Sequence, residues 1–417
     1  MKNNKLTIYI IGAMVLGIVV GIFINKSGNA GLIASYSTNI KLLATIFIRL
    51  VQMIIAPLVF STLVVGIAKL GDLNAVGRVG GKALLWFFTA SLISLLIGLV
   101  MVNFFEPGVG MNLTITDTSG VEDVAGKTKG FSLQNFVEHI VPKSVIEAMA
   151  TNEILQLVIF SIFFGIGLAG LGEKGQGLTK ALDSIAHVVL KMVGYVMMTA
   201  PLGVFGAISA VIATRGLDIL VTYAKYFGAF LVGIAALWVI LLAVGYLLLG
   251  KRLFDLLKRL ASPMVIAFST TSSEAVFPKI TEELEKFGCK DKIVSFILPL
   301  GYSFNLDGSM MYMTFASIFI AQVYGIELDM GTQLTMLLVL MLSSKGVAGV
   351  PRASLVVVAA TCGMFDIPVE GIALILPIDH FCDMFRSATN VLGNGLATTV
   401  VSKWEGELGE AKLDMDA

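Results

Sequence analysis

A chain of 417 residues that is 56% hydrophobic and only 14% charged, with a mean hydropathy of +0.89, cannot be a water-soluble protein, because soluble domains carry about 25% charged residues. Its 29 basic residues balance its 29 acidic ones, which argues against a nucleic-acid partner. The composition is that of an all-α polytopic protein of the lipid bilayer, and 43 glycines suit close helix packing and broken helices.

The N-terminus, Met1 to Lys5 ahead of an apolar run from Ile8 to Ile24, has the outline of a signal peptide. The run is too long for that and lacks a small-residue cleavage site, so it is read as the first span. Apolar segments near residues 7–25, 40–68, 82–105, 152–171, 183–212 and 218–249 predict the first six spans. Alternate connections are basic: Lys2 and Lys5, then Lys69, Arg78 and Lys82, then Lys174 and Lys180, then Lys251, Arg252, Lys258 and Arg259. That bias puts the N-terminus and those loops in the cytoplasm, and makes the polar stretch 106–145 an extracellular loop.

Beyond residue 259 the alternation breaks. Residues 261–278 run from apolar into a Ser/Thr cluster that ends in Pro278, and residues 279–292 are strongly charged. Residues 293–323 are apolar but interrupted by Ser303, Asn305, Asp307 and Ser309. Residues 334–363 contain Ser343-Ser344-Lys345-Gly346 and Gly349-Val350-Pro351-Arg352. A smooth helix cannot run through such interruptions, so the C-terminal third reads as hairpin, span, hairpin, span. One hairpin enters from the cytoplasm and the other from outside, which is an inverted repeat with sites expected where the tips meet.

The last span carries Asp379, Asp383, Arg386, Ser387, Asn390 and Asn394, which fall within an arc of roughly 100° on a helix. Intramembrane charge costs about 2.5–3.5 kcal/mol per residue on insertion scales, so this stripe is expected to line a protein cavity. Arg386 offers a fork for a carboxylate and Asp383 a partner for an ammonium. Together they suit an amino acid with an acidic side chain; the alternative is a structural Asp383–Arg386 ion pair. Asn305-Leu306-Asp307-Gly308-Ser309 supplies oxygen ligands for a small hard cation, or else a kink with internal hydrogen bonds. Glu274 in the first hairpin is a candidate proton carrier, unless it pairs with Arg352. His380 is expected to be packed rather than to relay protons. Cys289, Cys362 and Cys382 show neither metal-ligand spacing nor a disulfide framework.

Four motifs in this order resemble the dicarboxylate/amino acid:cation symporter family, the glutamate transporter homologues. They are Ser269-Thr270-Thr271-Ser272-Ser273-Glu274 followed by Pro278, Asn305 to Ser309, Gly346 to Pro351, and Asp383-Met384-Phe385-Arg386 with Asn390. The resemblance implies eight transmembrane helices, two re-entrant hairpins and a homotrimer working as an elevator, with the second hairpin as the extracellular gate. It implies a scaffold from 1–80 (spans 1 and 2) and 146–217 (spans 4 and 5), and a transport domain from 81–105 (span 3) and 218–403 (span 6 through span 8). Residues 106–145 would be the extracellular loop and 404–417 a cytoplasmic tail, in a multi-pass protein of the cell membrane with both termini cytoplasmic.

The substrate positions implied are Thr271, Ser272, Ser273, Ser309, Val350, Ser354, Asp383, Arg386, Ser387 and Asn390. Those implied for cation or proton coupling are Ser91, Glu274, Gly301, Ser303, Asn305, Asp307, Ser344, Asn390 and Asn394. No cofactor, and no metal other than a coupling sodium, is implied. Family members that use sodium often have an aspartate where this chain has Asn394, and a tyrosine and threonine where it has Phe87 and Ala90. Those departures favour protons over sodium, and Ser272-Ser273-Glu274 with the Asn305-Leu306-Asp307-Gly308-Ser309 form look like those of the bacterial proton-coupled glutamate/aspartate symporters. Asp383 favours an acidic amino acid over the alternative C4-dicarboxylates succinate, fumarate and malate. Glutamate carries one net negative charge, and each charge moved against the potential costs about 2.3 kcal/mol per 100 mV. Two or more coupled cations would let the membrane potential drive accumulation. An intramembrane aspartyl protease built on Asp307 and Asp383 is disfavoured, because Arg386 would hold one of the pair ionised. A channel fits a two-sign substrate site poorly.

Overall fold

With no water in the hydrocarbon core, a spanning backbone must satisfy its own hydrogen bonds, and apolar runs of this length do so as helices. The computed structural model describes residues 2–70, 73–110, 141–151, 153–217, 223–344 and 353–411. Among them the chain is helical apart from turns and one isolated antiparallel bridge between Cys289 and Leu408.

Helix α1 covers Lys2–Lys26, α2 Ala30–Leu70 and α3 Leu73–Phe105. Helices α2 and α3 begin about ten residues before their apolar runs. At α2 the reason is a cap: the Asn29 side chain accepts from the Leu32 N–H at 3.0 Å. At α3 it is an ionic anchor, because Arg78 and Lys82 both reach Glu405 at the far end of the chain. After the short α4 (Val145–Thr151) come α5 (Ile154–Gly170), α6 (Gln176–Met197) and α7 (Ala200–Arg215). The single span expected over 183–212 is instead the α6–α7 pair, bent by 50°. Pro201 lies in the first turn of α7, where a missing N–H is tolerated and continuation of the preceding helix is not.

Helix α8 is Ala224–Leu249. The first hairpin follows, with α9 (Arg252–Thr270) and α10 (Phe277–Phe287) packed together across a tip that includes a short 3-10 turn at Glu274–Val276. The basic segment 251–259, expected to be a loop, is therefore mostly the first half of α9. The charged stretch after Pro278 is likewise helical and partly buried. Lys279 meets Glu283 at 2.8 Å and Glu282 at 3.1 Å, and Arg259 of α9 meets Glu283 at 3.4 Å. Mutual pairing is what lets these charges leave water, and it ties the two arms together.

Helices α11 (Asp291–Phe304) and α12 (Asp307–Val323) divide the next span at Asn305 and Leu306. Helices α13 (Met330–Ser343) and α14 (Ala353–Met364) pack together as the second hairpin. Its tip, with Gly346 to Pro351 and Arg352, lies outside the described residues. Helix α15, Ile372–Trp404, closes the fold and packs on α8, α9, α11 and α12. Helices α1, α5 and α6 pack on α7 or α2, while α3 lies along α12. Among the described residues α1, α2, α3 and α8 qualify as spans by length and composition, with α6–α7 a fifth if the bent pair is counted as one.

Candidate functional site

The break at Asn305–Leu306 leaves the first N–H groups of α12 without carbonyl partners, and α15 supplies one. Asn390 Oδ1 accepts from Gly308 N–H at 2.9 Å and Ser309 N–H at 3.3 Å, while Asn390 Nδ2 donates to Ser309 Oγ at 3.1 Å. Asn390 thus caps α12 from another helix. Gly308 permits the approach: a Cβ there would collide with the Arg386 carbonyl and the Thr389 side chain. Trp238 of α8 donates its indole N–H to Thr389 Oγ1 at 2.8 Å and ties α15 to α8 next to this approach.

Around the break lies a buried cluster rich in amides. Asn305 Nδ2 donates to Asp307 Oδ2 and to Asn394 Oδ1, both at 3.3 Å. Ser91 of α3 donates to the Phe304 carbonyl at 3.3 Å. Gly301 abuts Asn394 beside the Phe87 ring. Asn305 and Asp307 are fully buried, and Ser303 and Asn394 nearly so. Among the described residues of this cluster Asn305 Oδ1, Asn394 Nδ2 and Ser303 Oγ have no hydrogen-bond partner. Each such atom costs about 1–3 kcal/mol when buried. Oxygens of this kind beside one carboxylate fit a small hard cation, held by Asn305, Ser303 and Asp307. Ser344, expected among the coupling residues, is buried and donates to the Met341 carbonyl at 3.1 Å.

One turn back along α15 the polarity changes from amide to charge. The Arg386 side chain is 1% exposed, and its Nη2 meets Asp383 Oδ1 at 2.8 Å and Asp379 Oδ1 at 3.2 Å. Its Nε donates to Asp383 Oδ1 at 3.2 Å. Tyr312 of α12 donates its hydroxyl to Asp379 Oδ1 at 2.7 Å, and the guanidinium lies over the Tyr312 ring, 3.9 Å from its centre. The ion pair weighed as the structural alternative is therefore present, with Asp379 as a second partner. Two features go beyond a packing role. Arg386 Nη1 has no hydrogen-bond partner among the described residues. The Asp383 side chain is 27% exposed while that of Asp379 is 5% exposed, so the cluster opens on the Asp383 side.

Tyr312 was not legible as a site residue, although it follows Ser309 by three and so shares its helix face. Ser387 and Ser354 are buried, and His380 stands edge-on to Phe381. At the first hairpin tip Thr271 adopts the left-handed conformation (φ 52°) and donates to the Thr270 carbonyl at 2.7 Å. Ser272 Oγ accepts from Ala275 N–H at 3.1 Å. Thr271, Ser272, Ser273 and Glu274 are all half-buried. Ring contacts anchor both arms, Phe268 on Phe385 of α15 at 5.0 Å and Phe277 on Tyr302 of α11 at 5.2 Å. Val350 lies outside the described residues, as does Arg352, the alternative partner of Glu274. An open cavity of 630 Å³ lies away from this chemistry, lined by Asn103, Glu106, Gln322, Glu327 and Gln333 at the ends of α3 and α12.

A model of the sodium:dicarboxylate symporter family matches residues 6–404. The C4-dicarboxylate transport protein of Bacillus subtilis (strain 168) is 39% identical, covering 98% of this chain and 96% of the relative. The proton/sodium-glutamate symport protein of Bacillus caldotenax is 40% identical, covering 99% and 97%. The C4-dicarboxylate transport protein of Geobacter sp. (strain M21) is 41% identical, covering 99% and 94%. These relatives are transporters rather than enzymes. The chain belongs to the sodium:dicarboxylate symporter family.

Proposed function

We propose that the protein is a secondary active symporter importing glutamate or aspartate with cations, protons in preference to sodium. The observation that carries this reading is the Asp383–Arg386 pair, a half-open carboxylate against a buried guanidinium with one unpartnered nitrogen. An incoming side-chain carboxylate would take up Arg386, and the α-ammonium would take up the Asp383 carboxylate. The α-carboxylate would lie against serine donors of the hairpin tips. Asn394 supports protons: it offers an amide where an acid would strengthen a sodium site, and the Asn305 amide already spans the Asp307 and Asn394 oxygens.

In this reading α3 and α8–α15 travel as one body past a scaffold of α1, α2 and α5–α7 in each subunit of a homotrimer. The second hairpin is the outer gate, and both termini are cytoplasmic in the cell membrane. Contacts of α12 and α15 with α3, α8, α9 and α11, and of α1, α5 and α6 with α7 or α2, support that division, with α11 on α2 and α5 and α9 on α7 as the seam between the two groups.

A second reading, C4-dicarboxylate symport, is favoured by the names of two of the relatives above, since Arg386 would serve either substrate. Uptake of labelled glutamate, aspartate and succinate into proteoliposomes, under separately imposed proton and sodium gradients, tests both. Proton-driven glutamate or aspartate uptake is expected. Uptake of succinate alone would give the dicarboxylate reading, and uptake that needs sodium and ignores the pH gradient would overturn proton coupling. Glu274→Gln is expected to slow proton-driven net uptake more than it weakens substrate binding.

A further inference from the structure

Residues 404–411, expected as a cytoplasmic tail, do not trail away from α15. They fold back across the cytoplasmic end of the molecule and are held there by three kinds of interaction. The first is backbone pairing. Lys290 N–H donates to the Glu407 carbonyl at 3.2 Å and Gly409 N–H to the Gly288 carbonyl at 2.9 Å, flanking the Cys289–Leu408 bridge. Gly288, at φ 112°, makes this possible, since a Cβ there would strike the Gly409 and Glu410 carbonyls.

The second is ionic. Glu405 meets Lys82 at 2.6 Å and Arg78 at 3.0 Å, both on α3, and Glu407 meets Lys292 of α11 at 2.5 Å. Lys82 also donates to the Trp404 carbonyl at 3.0 Å. Arg252, the first residue of α9, donates to the Gly409 carbonyl at 2.7 Å and to the Phe287 carbonyl at 3.2 Å. The third is apolar: Trp404 stands edge-on to Trp86 of α3 at 5.9 Å, and Leu408 packs on the core.

These partners have one thing in common. They lie on α3, on the start of α9, and on the turn and first residues that join α10 to α11. The α3 partners lie more than 100 residues upstream of the other two groups. Gly80 of α3 packs beside Phe296 of α11, and residues 404–411 add backbone and ionic ties that reach the base of the first hairpin itself. We propose that residues 404–411 are a clasp that buckles α3, the base of the first hairpin and α15 into one piece, and that it stays closed throughout the transport cycle. The second half of that statement rests on the elevator reading above; the first half does not.

The Cys289–Leu408 pair provides the test. Its flanking hydrogen bonds make it a non-hydrogen-bonded antiparallel pair, with Cα atoms about 4.5 Å apart, within the range a disulfide accepts. Leu408→Cys should therefore oxidise readily onto the native Cys289 in membranes, read as loss of two thiols by mass spectrometry. Leu408→Cys in a Cys289→Ser background is the control that should not. Oxidised and reduced Leu408→Cys protein should take up labelled substrate equally well. Failure to cross-link would overturn the clasp. Cross-linking followed by a loss of uptake that a reductant restores would show that it must open, and would overturn permanent closure.

A transport-independent arm separates this from the fate of the elevator reading. The double variant Glu405→Gln/Glu407→Gln should raise amide hydrogen exchange in residues 284–292 by about tenfold. Unchanged exchange there would sink the clasp even if transport were as proposed. A rise together with efficient cross-linking would sustain it even if none of the tested substrates were carried.

Discussion

Two buried polar clusters share helix α15 and solve burial in opposite ways. Around Arg386 every interaction is charge-assisted: a guanidinium faces two carboxylates and a tyrosine ring, and one of those carboxylates is oriented by the tyrosine hydroxyl. Around Asn305 and Asn394 the groups are mostly neutral amides and hydroxyls, and several of them have no partner among the described residues. A paired cluster can accept a ligand only by exchanging one partner for another, which selects for ligands of matching charge and fork geometry. A cluster with spare oxygens gains a ligand without losing a bond, which suits a small cation. In the proposed symport, substrate choice and ion coupling would rest on separate chemistries of one helix.

The contrast can be broken most severely at its charged end. Arg386→Ala leaves the buried Asp379 and the half-open Asp383 without their shared cation, and breaking a buried pair costs about 3–5 kcal/mol. Binding of acidic substrates should fall by at least about a hundredfold in a calorimetric or competition assay. Unchanged affinity would remove Arg386 from the site. Tyr312→Phe keeps the ring beneath the guanidinium but removes the hydrogen bond to Asp379, so affinity should drop by about tenfold. A change in protein yield without a change in affinity would make Tyr312 purely structural.

Asn394→Asp would give the neutral cluster a second carboxylate. Sodium stimulation of uptake should then appear or increase, and an unaltered sodium response would detach Asn394 from ion coupling. The smallest effect is expected outside the membrane, at Glu405. Burial pushes this carboxyl up, but the hydrogen bonds and charges of Lys82 and Arg78 outweigh that and hold it below its ordinary value of 4.5. Its contribution to stability is therefore complete above about pH 4.5 and lost as the pH falls through the depressed value. Arg78 is 57% and Lys82 34% exposed while the Glu405 side chain is 4% exposed, so water screens the pairs from the cation side and Glu405→Gln should cost about 1 kcal/mol. Melting curves of wild type and variant should differ at neutral pH and converge in acid.

How much of this could be read from the chain depended on whether a feature was local. The stripe on α15 and the break before Asp307 follow from helical periodicity and from short polar motifs inside apolar runs, and both are found. The first hairpin was legible from the Thr/Ser cluster and Pro278. Hydropathy was a poor guide to where helices begin, because capping by Asn29 and anchoring of Arg78 and Lys82 by Glu405 extend them past the apolar runs. The bend between α6 and α7 was hidden in a continuous apolar run. The partnership of Tyr312 with Asp379 joins positions 67 residues apart, and the folding-back of residues 404–411 depends on a left-handed Gly288 more than 100 residues upstream. No local pattern announces pairings of that kind.

Because both clusters sit on one unbroken helix, α15 also acts as a ruler. The eight-residue step from Arg386 to Asn394 corresponds to about 12 Å of helix rise. At that spacing, with an effective interior dielectric near 20, a cation in the amide cluster would feel the net single negative charge of the Arg386 cluster by only about 1 kcal/mol. Shifting a conformational equilibrium from almost wholly one state to almost wholly the other takes about 5.5 kcal/mol. Direct attraction along the helix is thus too weak to make transport of the ion and of the substrate mutually obligatory. In the symport proposed above, the remaining coupling would be mechanical, transmitted through the helix break that Asn390 caps.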